Sequence, residues 1–331
     1  MRVSWLLPFR DASDWIAEAV NSMIADSGPN DELVLVDDGS KDDSIAQIPQ
    51  DPRIRLIQQA PLGIVEALET GRRAARAPWI ARMDADDLTL PGRIEAQITA
   101  LKEDSELAAI GGRAEIHADG TAVGEGMQRY VNWVNNLDDL HRELLVESPL
   151  FHPAVCFRAE AVAQVGGYRD GPFPEDYDLW LRLVNAGWKI ANLPQTVIRI
   201  RDRAERLTRS DSRYDKKAFL LARQNFLAAG PLARPQRVAV WGGKKGARPW
   251  LQWLAKRGHS LVAVIDSFPG PGGPNRTRGG SPLLLPDALP SLEIDLLLVS
   301  VGQRGARPLI RDEIKKRCPH WKEGVDWWAL L

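Results

Sequence analysis

The sequence predicts an α/β protein: a larger N-terminal domain with a mostly parallel sheet, residues 1–232, followed by a smaller Rossmann-like α/β domain, residues 233–331. Three observations predict it. Short runs such as Val3–Leu7 and Glu32–Val36 are almost wholly apolar, as in strands of a parallel sheet covered on both faces. Segments with helical spacing of apolar residues separate these runs, and strand–helix alternation marks βαβ units. Acidic residues gather where the runs stop, at Asp37-Asp38 and at Asp84-Ala85-Asp86-Asp87. In such sheets ligands lie beyond the carboxyl ends of the strands.

Composition bounds the reading. At 331 residues the chain has room for two cores. A net charge of −1 gives no global field toward nucleic acid, so no nucleic-acid partner is expected. No apolar run approaches the ~20 residues of a spanning helix. The run Val3–Leu7, closed by Pro8 and Arg10, is too short for a signal peptide. Cys156 and Cys318 make no disulfide framework and suit a reducing compartment. A cytoplasmic protein without a transmembrane segment is the expectation, and this leaves room for peripheral association with a membrane.

The elements follow in order. Val3–Leu7 is the first strand, ended by Pro8, with Asp11 or Ser13 capping a helix through Trp15, Ile16, Ala19, Val20, Met23 and Ile24. Glu32–Val36 is the second strand, and Gly39 then permits a tight turn into a helix through Ile45 and Ile48. Arg53–Gln58 is the third strand. A helix opens at Gly63, and Trp79 leads a fourth strand to Asp84. Three carboxylates within four residues repel one another, and a hard divalent cation offsets that cost because Mg2+ and its relatives prefer carboxylate oxygens. Asp84 and Asp86, two apart, point to one side of an extended backbone. The other reading of this stretch is a solvated acidic turn before the helix that follows Pro91. Further on, Leu107–Ile110 and Ala114–His117 read as strands around a turn at Gly111-Gly112, and Asp119-Gly120 as a hairpin turn.

Taken together, Val3-Ser4-Trp5-Leu6-Leu7-Pro8, Leu35-Val36-Asp37-Asp38-Gly39-Ser40, Ala81-Arg82-Met83-Asp84-Ala85-Asp86-Asp87 with Pro91 and Arg93, and Gly166-Gly167-Tyr168 with Glu175-Asp176-Tyr177-Asp178-Leu179-Trp180-Leu181-Arg182 resemble a family 2 glycosyltransferase. The resemblance spans residues 1 to about 210 and implies the GT-A nucleotide-sugar-binding fold. It further implies an inverting transfer from a nucleotide-diphosphate-sugar donor to a carbohydrate or glycan-lipid acceptor, with a divalent metal, Mn2+ or Mg2+, as cofactor. Under it Asp38 accepts a hydrogen bond from the donor's base with Asp37 and Pro8 nearby, Asp84 approaches the ribose, Asp86 binds the metal, and Asp176 is the general base beside Glu175. Arg93 is read as structural. Asp178 and Arg182, spaced i, i+4, can pair on the helix surface.

At the start of the helix from Pro174, the dipole favours the ionised form of Asp176, which suits a base. His152 could reach the metal or acceptor, or serve as an ordinary hydrogen-bonding residue. Where many family members carry a histidine after the strand Thr196–Ile200, this chain has Arg201, with Arg203 and Arg206 beyond. Arginine does not ligate metal but grips phosphate bidentately, so these arginines are candidate diphosphate clamps; a solvated basic loop is the alternative. Two rival functions are a non-catalytic nucleotide-sugar sensor or scaffold, and a metal-dependent nucleotidyltransferase. The second would need a phosphate-cradling loop that Pro8-Phe9-Arg10-Asp11 does not supply.

Beyond Arg234-Pro235, strands Arg237–Trp241, Leu261–Ile265 and Ile294–Val301 form the second domain, with Phe268–Pro282 a Gly/Pro-rich loop. Gly242-Gly243-Lys244-Lys245-Gly246 departs from G-x-G-x-x-G, while Asp266 stands where a ribose-binding acid would. Dinucleotide binding and a scaffold or partner-docking role both stay open. Trp321, Trp327 and Trp328 are expected either to pack the domains together or to form a contact surface.

Overall fold

The computed structural model describes residues 1–118, 123–203, 206–242, 246–270, 273 and 276–331. The expected turn at Asp119-Gly120 and residues 243–245 of the glycine-lysine loop lie outside the described residues. The chain divides into two compact units: Met1–Leu140 with Ser148–Ala222, and His141–Glu147 with Arg223–Leu331. The division falls within the helix Lys216–Ala229, earlier than the sequence reading at 232/233. In the second unit the Arg223 guanidinium donates to the Val146 carbonyl at 2.6 Å, and Phe226 packs edge-on against Trp328.

The first unit is built on an eight-stranded sheet. Its strands are β1 (Val3–Phe9), β2 (Glu32–Asp37), β3 (Ile54–Gln58), β4 (Trp79–Arg82), β5 (Leu88–Thr89), β6 (Leu107–Ala118), β7 (Cys156–Arg158) and β8 (Lys189–Asp202). The order is β3-β2-β1-β4-β7-β6-β8-β5. β3, β2, β1 and β4 are parallel, and β7 runs antiparallel to both β4 and β6. β1 and β2 are buried along their whole length, as their unbroken apolar composition requires. The amphipathic helix Ile16–Asp26 buries Ile16, Ala19, Val20 and Met23 into the same core as Trp5 and Leu7.

Several local expectations are corrected. Pro8 does not end β1; it lies inside the strand opposite Val36. The Leu6 carbonyl accepts from the Met83 N–H on the β4 side, and the Phe9 carbonyl from Asp38 N–H on the β2 side. Backbone groups alternate along a strand, so Pro8 turns its nitrogen toward β4, past the last pair Leu6–Arg82, where no ladder bond is lost. Neither Asp11 nor Ser13 caps the first helix by a side chain. The Asp11 carboxylate instead accepts from Lys41 N–H, and Asp42 accepts from Ser13 N–H, clasping the loops after β1 and β2 together. The helix through Ile45 and Ile48 shrinks to the 3-10 turn Ser44–Gln47, because Pro49 and Pro52 follow at once. Gly111-Gly112 is no turn: β6 runs straight through it. A Cβ at Gly111 would sit 2.4 Å from Asn192 Oδ1 and one at Gly112 2.7 Å from Val197, so both glycines allow β8 to approach.

Beneath the carboxyl end of β4 lies Arg93, opening the helix Arg93–Glu103 and almost fully buried. Its guanidinium donates to the Arg82 carbonyl at 2.8 Å and to Gln97, and stands 5.1 Å from the Trp5 ring centre. Burial pulls its pKa down to about 10. The pair Asp178–Arg182 forms at 2.7 Å, but Asp178 is buried rather than on the helix surface, and Arg169 shares it.

The second unit carries a six-stranded sheet of order β11-β12-β10-β9-β13-β14, from β9 (Arg237–Trp241), β10 (Ser260–Ile265), β11 (Thr277–Arg278), β12 (Ser281–Leu284), β13 (Leu296–Val299) and β14 (Trp327–Ala329). All neighbours are parallel except β11 against β12. The stretch expected as loop contributes β11 and β12. Trp327 and Trp328 form β14 and are buried within this unit's own sheet rather than forming a surface.

Among the described residues no helix is long and apolar enough to cross a membrane. Both cysteines are buried and free, and burial raises the Cys156 thiol to about 12, which leaves it inert.

Replacing Arg93 by Met keeps bulk but strands the Arg82 carbonyl. The expected loss is about 2–4 kcal/mol of unfolding free energy, read from the urea midpoint at unchanged m-value.

Candidate active site

β2 and β4 flank β1 and end at the same edge, β2 at Asp37 opposite Phe9 and β4 at Arg82 opposite Leu6. The parallel pairing therefore brings the two acidic segments to one rim. Asp38 is buried, and both its carboxylate oxygens are taken: Oδ1 accepts from Gln59 Nε2 and Leu62 N–H, each at 2.8 Å, and Oδ2 from Gly63 N–H at 2.9 Å. It thus ties β2 to the start of the helix Ile64–Ala74. Asp37, also buried, gives Oδ1 to the Ser40 N–H at 2.9 Å.

At the β4 end, ligand atoms of Asp84, Asp86 and Asp87 lie within 4.8 Å of one another. Asp84 pairs with Arg82 at 2.5 Å. Asp86 Oδ2 accepts from Arg203 Nε at 2.6 Å, and its carbonyl accepts from Arg201 Nε at 3.1 Å. Asp87 is buried; Oδ1 accepts from Arg201 N–H at 2.9 Å, and Oδ2 is buried with no hydrogen-bond partner among the described residues. Burial, then the charges of Asp86 and Asp84, push the Asp87 carboxyl well above the usual range. A buried carboxylate oxygen left unpaired beside two more carboxylates is costly, and a divalent cation is the partner this donor set suits. Asp87 is thus a third candidate ligand beside Asp86, and Asp84, read from the sequence as a ribose contact, belongs to the same cluster.

Arg82 was missed in the sequence and is central here. It is buried, with Nε and Nη1 lacking hydrogen-bond partners among the described residues while Nη2 holds Asp84. Burial opposes its charge, yet Asp84, Tyr168 and Asp87 together hold its pKa above the ordinary value. The same guanidinium acts on Asp176, Glu175 and His152, so it joins the carboxylate cluster to the segment carrying the proposed base. The one available signal was a cation closing an otherwise apolar strand.

Glu175 and Asp176 open the helix Glu175–Asn185. Glu175 is buried and both its oxygens accept from the Tyr214 hydroxyl at 2.9 Å. Asp176 stays partly exposed, and its Oδ1 accepts from the Tyr177 N–H at 2.7 Å. The helix dipole does not win at Asp176. Its surroundings are desolvated and the neighbouring Glu175 repels a second charge, which together push it up to about 7.

His152 is buried against Tyr168, Nε2 to Oη at 2.8 Å, with the Trp180 ring edge-on. Burial and the Arg82 charge hold it neutral, well below the ordinary histidine value. The carboxylate cluster does not include it. Arg201 also reaches Glu18 at 2.9 Å, Arg203 lies 4.4 Å from the Trp15 ring centre, and Arg206 donates to the Arg201 carbonyl. Arg201 and Arg203 therefore stand at the acidic cluster.

A parallel sheet with strand-end acids at one rim, closed by an antiparallel strand inserted beside β4, is a GT-A-type α/β fold. The solved structure of S. aureus TarS 1-349 in complex with UDP-GlcNAc shares it, with a TM-score of 0.50 at 13% identity, covering 77% of this chain and 71% of that one. Residues 4–166, just under half of the chain, match the family described as Glycosyl transferase family 2, and this segment is a domain of that family. Its relatives include the amylovoran biosynthesis glycosyltransferase AmsE of Erwinia amylovora, 32% identical over 176 residues, which are 52% of this chain and 64% of AmsE. The putative glycosyltransferase EpsE of Bacillus subtilis is 27% identical over 238 residues, 67% of this chain and 81% of its own length. The match thus spans a little under two thirds of AmsE.

Replacing Asp38 by Ala removes the acceptor of three donors. The expected cost is about 2–3 kcal/mol, seen as a lowered melting temperature, whereas Asp37→Asn, which keeps an acceptor for Ser40, is expected to melt close to the wild type.

Proposed function

We propose that the N-terminal unit transfers a sugar from a nucleotide-diphosphate donor to a hydroxyl of a carbohydrate or glycan-lipid acceptor, with inversion at the anomeric carbon. The observation that carries this reading is the cluster of Asp84, Asp86 and Asp87 where β4 stops, with Arg201 and Arg203 bonded to Asp86. The place of the relative AmsE in amylovoran biosynthesis favours a polysaccharide-type acceptor. Because three donors from the segment after β3 already hold the Asp38 carboxylate, the donor's base is assigned to Asp37 at the end of β2, beside the buried Pro8.

Asp176 accepts the proton of the acceptor hydroxyl on the carboxylate oxygen not held by Tyr177. The acceptor oxygen forms its bond to the anomeric carbon as the bond to the diphosphate oxygen breaks, and the electron pair leaves with the diphosphate. Asp84, Asp86 and Asp87 would hold a divalent cation, Mn2+ or Mg2+, which supplies positive charge against the charge developing on the leaving group. Arg82 offsets the acids from within, and Arg201 and Arg203 bring two further cations to the same rim. Desolvation, and after it the Glu175 charge, raise the proton affinity of Asp176, and Glu175 is itself held by Tyr214.

A base that takes up protons near pH 7 is idle when protonated. The expected kcat/KM therefore falls with decreasing pH, approaching about tenfold per unit well below the pKa, and levels off above about 7. Glu175→Gln removes the repelling charge, so the acid limb moves to lower pH. Asp176→Asn is expected to keep donor binding by calorimetry and lose at least about 100-fold in transfer. Transfer at the wild-type rate by Asp176→Asn would remove Asp176 as the base. Donor binding without transfer or hydrolysis by the unmodified protein, tried with several nucleotide sugars and acceptors, would favour a sensor. Asp87→Ala is expected to raise the half-saturating Mn2+ concentration at least about tenfold, in the range that disruption of a metal site produces; an unchanged titration would remove Asp87 from the ligand set.

A further inference from the structure

One contact in the acidic cluster works against the binding of a cation there. Arg203 Nε donates to Asp86 Oδ2 at 2.6 Å, and its guanidinium lies 4.4 Å from the ring centre of Trp15, at the start of the helix Ile16–Asp26. A carboxylate at one edge and an aromatic face beside it hold the guanidinium in place. The backbone at Arg203 is fixed too. Its carbonyl accepts from Arg209 Nη1, Arg209 Nη2 donates to the buried Asp202 at 2.7 Å, and Asp202 Oδ2 accepts from the Gly124 N–H.

The neighbouring arginines are committed differently. Arg82 gives Nη2 to Asp84. Arg201 donates its N–H to Asp87, Nε to the Asp86 carbonyl and Nη2 to Glu18, and its side chain is only 10% exposed. Arg203 is 27% exposed and, among the described residues, holds the cluster by the one hydrogen bond to Asp86. It is the arginine of this rim that can exchange its partner without dismantling a network. A guanidinium and a divalent cation at one carboxylate draw on the same negative charge and repel each other. A diphosphate removes that conflict, because its oxygens accept from two guanidinium N–H groups at once.

We propose that Arg203 is an internal competitor of the divalent cation at Asp86, and that a nucleoside diphosphate relieves the competition by taking the guanidinium onto its phosphates. The inference rests on the reading of Asp84, Asp86 and Asp87 as cation ligands and adds a sign to it. Arg203 weakens cation binding when the cation comes alone and stops doing so when the diphosphate comes with it. Such coupling is reciprocal, so Arg203 disfavours a cation held without its nucleotide.

Calorimetric titration of the full chain with Mn2+, alone and in the presence of UDP or GDP, tests this on Arg203→Met and Arg203→Lys. Arg203→Met removes the charge and is expected to bind Mn2+ alone at least about threefold more tightly than the wild type. The gain in Mn2+ affinity on adding nucleotide is expected to shrink by at least the same factor. Arg203→Lys keeps the charge and is expected to stay within about twofold of the wild type for Mn2+ alone. An arginine that only braced the rim would act with the opposite sign, since its loss would loosen the acids and weaken Mn2+ binding. Mn2+ binding that is unchanged or weaker in Arg203→Met, or equally tightened in Arg203→Lys, would overturn the proposal and leave the three acids as ligands. Mn2+ binding measurable only in Arg203→Met would support it. Mn2+ binding by neither the wild type nor Arg203→Met would remove the ligand reading along with the proposal.

Discussion

Repulsion among carboxylates at a single strand end is the constraint around which the first unit is arranged. Asp84, Asp86 and Asp87 crowd within 4.8 Å, and a pair of like charges at about 4 Å costs on the order of 4 kcal/mol at an effective dielectric of 20. The protein sets cations against them from three directions. Arg82 comes from within the strand, and Arg201 and Arg203 come from the end of β8 and just beyond it. Arg82 is costly in turn, being buried with two donors unpaired. It is tolerable because the acids around it need a positive charge. The strand end is therefore a set of compensating penalties, each acceptable only in the presence of the others.

The same compensation governs protonation at the helix start. A helix N-terminus ordinarily favours ionised acids, and that argument alone makes Asp176 a weak base. The neighbouring Glu175 and desolvation act the other way, and they are the larger effects. Tyr214 enters through Glu175, since its hydroxyl holds that carboxylate through both oxygens. Mutual repulsion between adjacent carboxyls is thus used rather than merely endured: it holds one of them where a proton can be taken up and released near neutral pH.

Much of this was legible in the sequence, for identifiable reasons. Buried parallel strands leave continuous apolar runs, so β1, β2 and β4 could be placed, and the acids that follow them stand out by contrast. What could not be read depends on neighbours distant in the chain. Gly111-Gly112 resembles a turn until Asn192 and Val197 are known to press against it. The role of Asp38 is decided by Gln59, Leu62 and Gly63, some twenty residues on. His152 looks like a ligand in isolation and is a buried partner of Tyr168 in the fold. Arg82 escaped because charge at the end of a strand reads as solvated, and only tertiary packing shows that it and Asp87, counted among the three crowded acids, are buried. Pro8 was misplaced by a rule about ladders that holds only where both sides of a strand are paired.

Each unit, taken by itself, puts acid where a parallel strand stops, but the two acidic edges differ in kind. In the first, three carboxylates share their space with arginines. In the second, Asp266 gives one oxygen to the Phe268 N–H and has Arg278 3.6 Å from the other. One acid facing one guanidinium leaves little net charge, whereas three carboxylates in one place leave a demand for cations that their arginines meet only in part. Counter-charge, rather than strand-end topology, therefore sets what each edge can hold.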